Sequence, residues 1–214
     1  MDLFSQIFAY DETDLATEFW KAHSPFIMSR TRGYGYWLWK PQVVLQALQA
    51  MPEGEALVYM DAGCCLNLEG RDRLVELVAM ATLHPSQNVG FDLGLVEGDW
   101  TKGDLFKHLD YHDYNSGQIM ATAFILVNTP DIRALVKQWL SVGCSHSYHF
   151  IDDSPSRDMP NRPGFREHRH DQSIWSILRK QHGLLSLPNE TWWEPNWVCH
   201  KDKPIHARHQ LTEK

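Results

Sequence analysis

The sequence predicts an α/β fold, a mostly parallel central sheet flanked by helices, in one domain spanning residues 1–214. Three observations predict it. Ala56–Met60 and residues 121–128 are short, almost wholly apolar runs, the pattern of strands buried on both faces of a parallel sheet. The segments between and around them carry helical apolar stripes, and strands alternating with helices indicate an α/β domain. No repeat, low-complexity tract or linker interrupts the chain, and 214 residues are enough for one well-buried domain and few for two.

In chain order, residues 6–10 form an apolar run ending at Asp11 and read as a first strand. Residues 13–21 read as a short helix and 26–29 as another strand. From Pro41 to Met51 the apolar residues Val43, Val44, Ala47, Leu48 and Met51 mark a helix packed on a sheet, with Pro41 suited to its first position and residues 52–54 ending it. Arg71–Leu83 is a helix with Leu74, Leu77, Val78 and Ala81 on one face, and residues 88–92 a short strand. Residues 101–111 are a helix with Thr101 as candidate N-cap. After the strand at 121–128, residues 130–142 form a helix facing Ile132, Leu135, Val136 and Trp139 inward. Residues 144–169 lack periodicity and contain Pro155, Pro160 and Pro163; unstructured connections of such length are uncommon unless functional. Residues 171–181 are a helix stopped at Gly183, with Asp171 a natural N-cap. The stretch from 188 onward is irregular and rich in Trp and His.

Composition excludes several classes. A formal charge of −7 and the absence of a Lys/Arg run argue against nucleic acid as a partner. No apolar stretch approaches the ~20 residues of a membrane-spanning helix and no signal-peptide pattern opens the chain. A cytoplasmic protein is expected, at most peripheral to a membrane through a partner. The 4 cysteines show no C-x-x-C spacing, so reduced structural thiols are expected.

Three constellations can carry chemistry. The apolar run at 56–60 stops at Asp61, followed by Ala62 and Gly63; in open α/β sheets ligands bind outside the carboxyl ends of strands. Asp61 faces that crevice or caps the following turn, which Asp also does well. In 32–41, Lys40 precedes a proline, which disfavours a helical backbone there. A helix starting at Pro41 would offer unpaired N–H groups as an anion site beside Lys40. Trp37 and Trp39 would share one face of an extended segment, as a stacking surface for a base or sugar or as core filler. The second constellation is His168, Arg169, His170, Asp171 and Gln172, which offers a base, a metal ligand or acceptors for sugar hydroxyls. The third is the basic stretch from Cys199 to Arg208, with His200 and His206.

In this order the segments resemble nucleotide-sugar glycosyltransferases of the GT-A class, a Rossmann-like fold. GYGYW-x-WKP at 33–41, Y-x-DAG-C at 59–64 and HRHDQS at 168–173 are similar to bacterial capsular and lipopolysaccharide-synthesis transferases. A more distant likeness runs to glycogenin-type family 8 enzymes, matched here by Lys40, Asp61, the strand at 121–128, Asp171 with Gln172, and His200 with Lys203 and Pro204. The resemblance covers residues 3–208 and implies transfer of a sugar from a nucleoside diphosphate sugar, a UDP-sugar for preference, to a glycan or other hydroxyl acceptor in surface polysaccharide synthesis. It implies donor contacts at Arg32, Trp39, Lys40, Asp61, Ala62 and Gly63, and catalytic roles for His170, Asp171 and Gln172. Mn²⁺ or Mg²⁺ would sit on Asp61, His200 and His206, and the acceptor on His168, Trp192 and Trp193. The family's D-x-D is reduced to Asp61–Ala62–Gly63, so diphosphate oxygens and water would complete the metal's shell. The family's opening strand and helix also have no counterpart here. A catalytically silent carbohydrate- or nucleotide-sugar-binding protein on the same scaffold is the alternative. A metal hydrolase built on His168, His170 and Asp171 would leave Lys40 and Asp61 unexplained.

Overall fold

The computed structural model describes residues 3–192 and 202–207. Helices α1 (Thr17–Met28), α2 (Gly33–Tyr36) and α3 (Trp39–Ala50) lead into strands β1 (Ala56–Met60) and β2 (Cys64–Leu66). Helix α4 (Arg71–Leu83), strand β3 (Asn88–Val96) and the short helices α5 (Glu97–Trp100) and α6 (Gly103–His108) follow. Strands β4 (Gly117–Ile119) and β5 (Ala123–Val127) precede α7 (Pro130–Cys144), a 3₁₀ turn at His146–Tyr148, and α8 (His170–Gln181). Strands β6 (Leu185–Pro188), β7 (Thr191–Trp192) and β8 (Ile205–Ala207) close the described chain.

The fold is mixed α/β, but its central sheet is not mostly parallel. β1 pairs antiparallel with β5, and β5 and β4 both pair antiparallel with β3. Within this sheet only β6, on the opposite edge of β3, runs parallel to its neighbour. A smaller sheet is ordered β2-β8-β7. The apolar runs misled for a physical reason: helices cover both faces here too. Phe124 and Leu126 of β5 pack with α3, α7 and α8, whereas Ala123, Ile125 and Val127 pack with Leu74, Leu77 and Ala81 of α4. Two-sided burial reports the covering layers and leaves strand direction open. β5 is buried throughout, as its sequence predicts, while β1 is an edge strand of intermediate burial.

Other expectations shift. Residues 26–29 complete α1 instead of forming a strand, and that helix accommodates Pro25 in its interior. Residues 6–10 form no strand; they run beside β1 with Ile7 exposed. Thr101 does not cap a helix, since its hydroxyl donates to buried Glu97 (2.6 Å). Asp171 lies inside the first turn of α8, with Arg169 at the cap position and no side-chain capping bond. α4 has the bounds the sequence predicts, and α7 is capped by Thr129, whose hydroxyl accepts from the Ile132 amide. Gly183 follows the end of α8 at φ 80°, a left-handed conformation that stops a helix cheaply only at glycine. Cys64, Cys65 and Cys144 are free thiols, and burial pushes the Cys144 thiol up to about 12.

The long connection at 145–169 has little secondary structure, yet it is pinned from beneath. Buried Lys102 donates to the carbonyls of His149 (2.6 Å), Asp152 (2.8 Å) and Ser154 (2.9 Å). Asp104 accepts backbone N–H groups from Arg157, Asp158 and Met159, and a ring nitrogen of His149 lies 2.7 Å from it. These two side chains satisfy backbone groups that a sheet or helix would otherwise pair.

Candidate functional site

Three elements converge on one ion cluster. Tyr59 and Asp61 are two residues apart, so strand periodicity turns both toward the helix layer containing α3 and α8. The first turn of α3 supplies Lys40 and the first turn of α8 supplies Asp171. Lys40 Nζ lies 3.0 Å from Asp61 Oδ1, 3.2 Å from Asp171 Oδ2 and 3.3 Å from the Ala121 carbonyl. The Tyr59 hydroxyl donates to Asp61 Oδ1 at 2.9 Å. Behind the cluster, Trp139 and Trp175 stack at 4.3 Å, and the Trp139 indole N–H donates to the Asp171 carbonyl, fastening α8 to α7.

Burial separates the three charges. The side chains of Lys40 and Asp171 are 4% and 5% exposed, while that of Asp61 is 27% exposed and presents the cluster to solvent. Burial pushes the Asp171 carboxyl up to about 6 against the pull of Lys40, and Asp61 adds to the rise. Burial also pulls Lys40 down, but Asp171 and Asp61 outweigh it and hold the ammonium above its ordinary value. One cation between two carboxylates leaves a net negative charge when both are ionised. The cluster therefore suits a further cation or a sugar's hydroxyl donors better than a bare anion.

The expected anion site at a helix start does not form. Lys40 is itself helical, and the N–H groups before Pro41 are used: Leu38 donates to Gly35 and Lys40 to Trp37. The Asp61 side chain does not cap the turn that follows. Its backbone closes the turn by accepting from the Cys64 amide, while its side chain goes to Tyr59 and Lys40.

Beside Asp61 opens a cavity of about 490 Å³, bounded by residues 3–10, α3 and β1 and reaching Trp39, Tyr59, Asp61 and Ala62. Among the described residues β1 pairs on one side alone, with Gly54, Glu55 and Asp61 bonded toward the β5 side. Antiparallel alternation therefore turns the backbone groups of Ala56, Val58 and Met60 into this cavity. It combines an apolar wall, the aromatic side chains of Phe4, Phe8, Tyr10, Trp39 and Tyr59, and a ladder of main-chain donors and acceptors.

The remaining expected residues divide. Trp39 borders the cavity, its indole N–H donating to the Gly33 carbonyl (3.2 Å); Ala62 and Gly63 form the exposed turn beside Asp61. Arg32 turns away, 3.1 Å from Glu167 and 3.7 Å from Asp153. Gln172 is a strut: its carbonyl accepts from the Ala121 amide, and its amide donates to Gln118, which continues to Glu97. His168 is also structural. The Phe150 carbonyl can only accept, so Nε2 carries the proton toward it (2.9 Å), and Nδ1 accepts from the Lys102 amide (3.3 Å). Burial holds this imidazole well below its ordinary pKa, and no ring nitrogen is left for an acceptor. His206 lies buried in β8 opposite Cys65 of β2. Trp192 pairs in register with His206. His200 and Trp193 lie outside the described residues. Among the described residues, no three His, Cys, Asp or Glu side chains group as metal ligands.

Tyr59 is a site residue that sequence reasoning missed; the signal for it was its two-residue spacing from Asp61.

No family model, curated protein or solved structure matches this chain. Fold and site together define a mixed α/β protein with a Lys–Asp–Asp cluster whose partly exposed member, Asp61, lines an aromatic-walled cavity. Among the described residues, no helix is long and apolar enough to cross a membrane.

Proposed function

We propose that the protein is a glycosyltransferase that moves a sugar from a nucleoside diphosphate sugar, a UDP-sugar for preference, to a hydroxyl of a glycan in surface polysaccharide synthesis. One observation carries this reading: Asp61, which Lys40 ties to the buried carboxylate of Asp171, lines the 490 Å³ cavity. The cavity suits a nucleobase, with the rings of Trp39 and Tyr59 for stacking and the open edge of β1 for hydrogen bonds. Asp61, the exposed member, would hold Mn²⁺ or Mg²⁺ together with diphosphate oxygens and water, since such ions use few carboxylates. The bound ion would supply charge to offset the departing diphosphate. Asp171 faces the opposite demand: a buried carboxylate close to the transferred sugar stabilises the positive charge that develops on it. Lys40 holds both carboxylates in place and opposes the burial that raises the Asp171 carboxyl.

The test is a thermal-shift series with UDP, GDP, CMP and dTDP sugars, with and without Mn²⁺, followed by hydrolysis of the stabilising sugar nucleotide. A ligand of the native state raises the melting temperature by mass action. The expected result is stabilisation by one nucleotide class and slow hydrolysis that Asp61→Ala abolishes. Stabilisation without turnover would identify a binding protein, and indifference to every sugar nucleotide would refute the reading.

A further inference from the structure

We propose that a small second cavity, bounded by Tyr10, Tyr34 and Trp39, is a binding site for a quaternary ammonium group, with Asp11 and Glu12 supplying the opposite charge. It stands apart from the transferase reading, and neither needs the other.

The cavity measures about 170 Å³. Buried Leu15 and Val43 give it apolar surface, and Tyr10, Tyr34 and Trp39 give it aromatic surface. Asp11 and Glu12 complete the lining, in which no Lys, Arg or His takes part among the described residues. Tyr10, Trp39 and Val43 also border the larger cavity beside Asp61, so the two are neighbours. Sites for whole drug-sized ligands run to about 300–1,000 Å³, so this one takes a single compact group.

Its lining is held in place from several sides. The Trp39 indole N–H donates to the Gly33 carbonyl (3.2 Å), tying the ring to the turn that carries Tyr34. The Tyr10 ring stacks with that of Phe8, centroids 6.0 Å apart, and packs on the core. Gln46 of α3 hangs the acidic turn on the helix: its side-chain amide donates to the Asp14 carbonyl (2.9 Å), and its oxygen accepts from the Ala16 amide (2.9 Å). Tyr34 is 42% exposed and has a φ of 49°. Non-glycine residues held in that left-handed region collect at ligand clamps and functional sites.

The charge has one sign. Asp11, Glu12 and Asp14 share one turn, and none of them forms an ion pair among the described residues. Hydrogen bonds from Thr13 hold the Asp11 carboxyl below its ordinary value, so it is charged at neutral pH. Burial and the Asp14 carboxylate push the Tyr10 hydroxyl up, so the field of these acids reaches the ring. The negative faces of Tyr and Trp rings add to it. Positive charge is therefore favoured, but apolar walls penalise an ion that must shed tightly held water. Mg²⁺ and Ca²⁺ need shells of oxygen ligands that these walls do not provide. A primary ammonium is strongly hydrated and brings donors that need acceptors. A quaternary ammonium spreads its charge over methyl groups, donates no hydrogen bond and is recognised by aromatic faces.

The probes are tetramethylammonium and choline, titrated into the full chain by calorimetry, with ammonium chloride holding the ionic strength constant. The control is dimethylbutanol, the uncharged carbon isostere of choline. Both cations should bind in the millimolar range, and the isostere roughly ten-fold more weakly. Equal affinity for choline and its isostere, or no binding of either cation, would overturn the proposal. Tyr34→Leu should weaken choline binding roughly three-fold or more, whereas Tyr34→Phe keeps a ring and should bind as the parent does. Glu12→Lys reverses an exposed charge and should weaken choline by a similar factor, roughly three-fold or more, with an unchanged urea midpoint. Parent-like affinity in Tyr34→Leu would overturn the proposal, and so would parent-like affinity in Glu12→Lys, which decides the matter if the Tyr34 variant does not fold. Sedimentation with phosphatidylcholine vesicles, reversed by free choline, would assign the group to a lipid headgroup. Choline binding without such sedimentation would assign it to a soluble molecule.

Discussion

Replacing Lys40 by methionine removes the one ammonium between Asp61 and Asp171 while keeping the length of the side chain. Both carboxylates lie within 3.2 Å of that nitrogen, and Asp171 has almost no access to water. Breaking a buried ion pair from one side costs about 3–5 kcal/mol, and that is the loss expected at pH 7. The pH dependence tests the mechanism more sharply. The native Asp171 carboxyl titrates at about 6, above its unfolded value. The native state therefore holds a proton that the unfolded chain has released. Stability from this group is fully present below about pH 4 and is lost as pH rises to about 6. Without Lys40 the carboxyl titrates higher still, so the variant keeps losing stability above pH 6, where the parent no longer does. The deficit should grow by up to about 1.4 kcal/mol per pH unit between pH 6 and 8 and be smallest near pH 5. Urea unfolding followed by tryptophan fluorescence at pH 5, 6, 7 and 8 measures it. A deficit equal at pH 5 and 8, or below about 1 kcal/mol throughout, would refute the placement of Lys40 between the Asp61 and Asp171 carboxyl groups.

Tyr59→Phe removes the hydroxyl that donates to Asp61, with an expected loss of about 1 kcal/mol, since a partly exposed carboxylate can take water in exchange. Equal urea midpoints would show that Lys40 alone holds Asp61. Lys102→Met leaves three carbonyls of the 145–169 connection without their donor. It should cost about 3 kcal/mol and make that segment the first site of proteolytic cutting, read by mass spectrometry of the fragments. An unchanged cleavage pattern would show that Asp104 suffices to hold the segment.

What the sequence discloses follows from how local each feature is. Helix α4 is legible because its face repeats Leu74, Leu77 and Ala81 with helical period, and β5 because five apolar residues in a row demand cover on two sides. Strand direction is not legible in the same run, because helices on both faces produce the same pattern for either direction. Phe26 and its neighbours look like a strand after Pro25, yet the helix carries that proline because the turns around it remain packed. Lys40 and Asp61 stood out as candidates because each sits at a boundary between elements. Their partner Asp171 had a plausible local duty as a helix cap, and tertiary contact with Lys40 displaced it. His168 and His170 show the limit most clearly. Two residues apart and chemically identical, one has both nitrogens bonded within the protein and the other has, among the described residues, no hydrogen-bond partner at Nε2. Nothing in the local sequence distinguishes them; the carbonyls and amides that decide the matter come from residues 102, 150 and 151.

The pinning of 145–169 by Lys102 and Asp104 bears on how this protein can change over generations. Both anchors grip main-chain atoms, which every amino acid has, so they impose little on the side chains of the residues they hold. Exposed positions such as Asp153 and Glu167 can be exchanged while the path of the loop persists. Mutation can thus explore new ligands there without first endangering the fold, an arrangement that separates what is recognised from what keeps the chain folded.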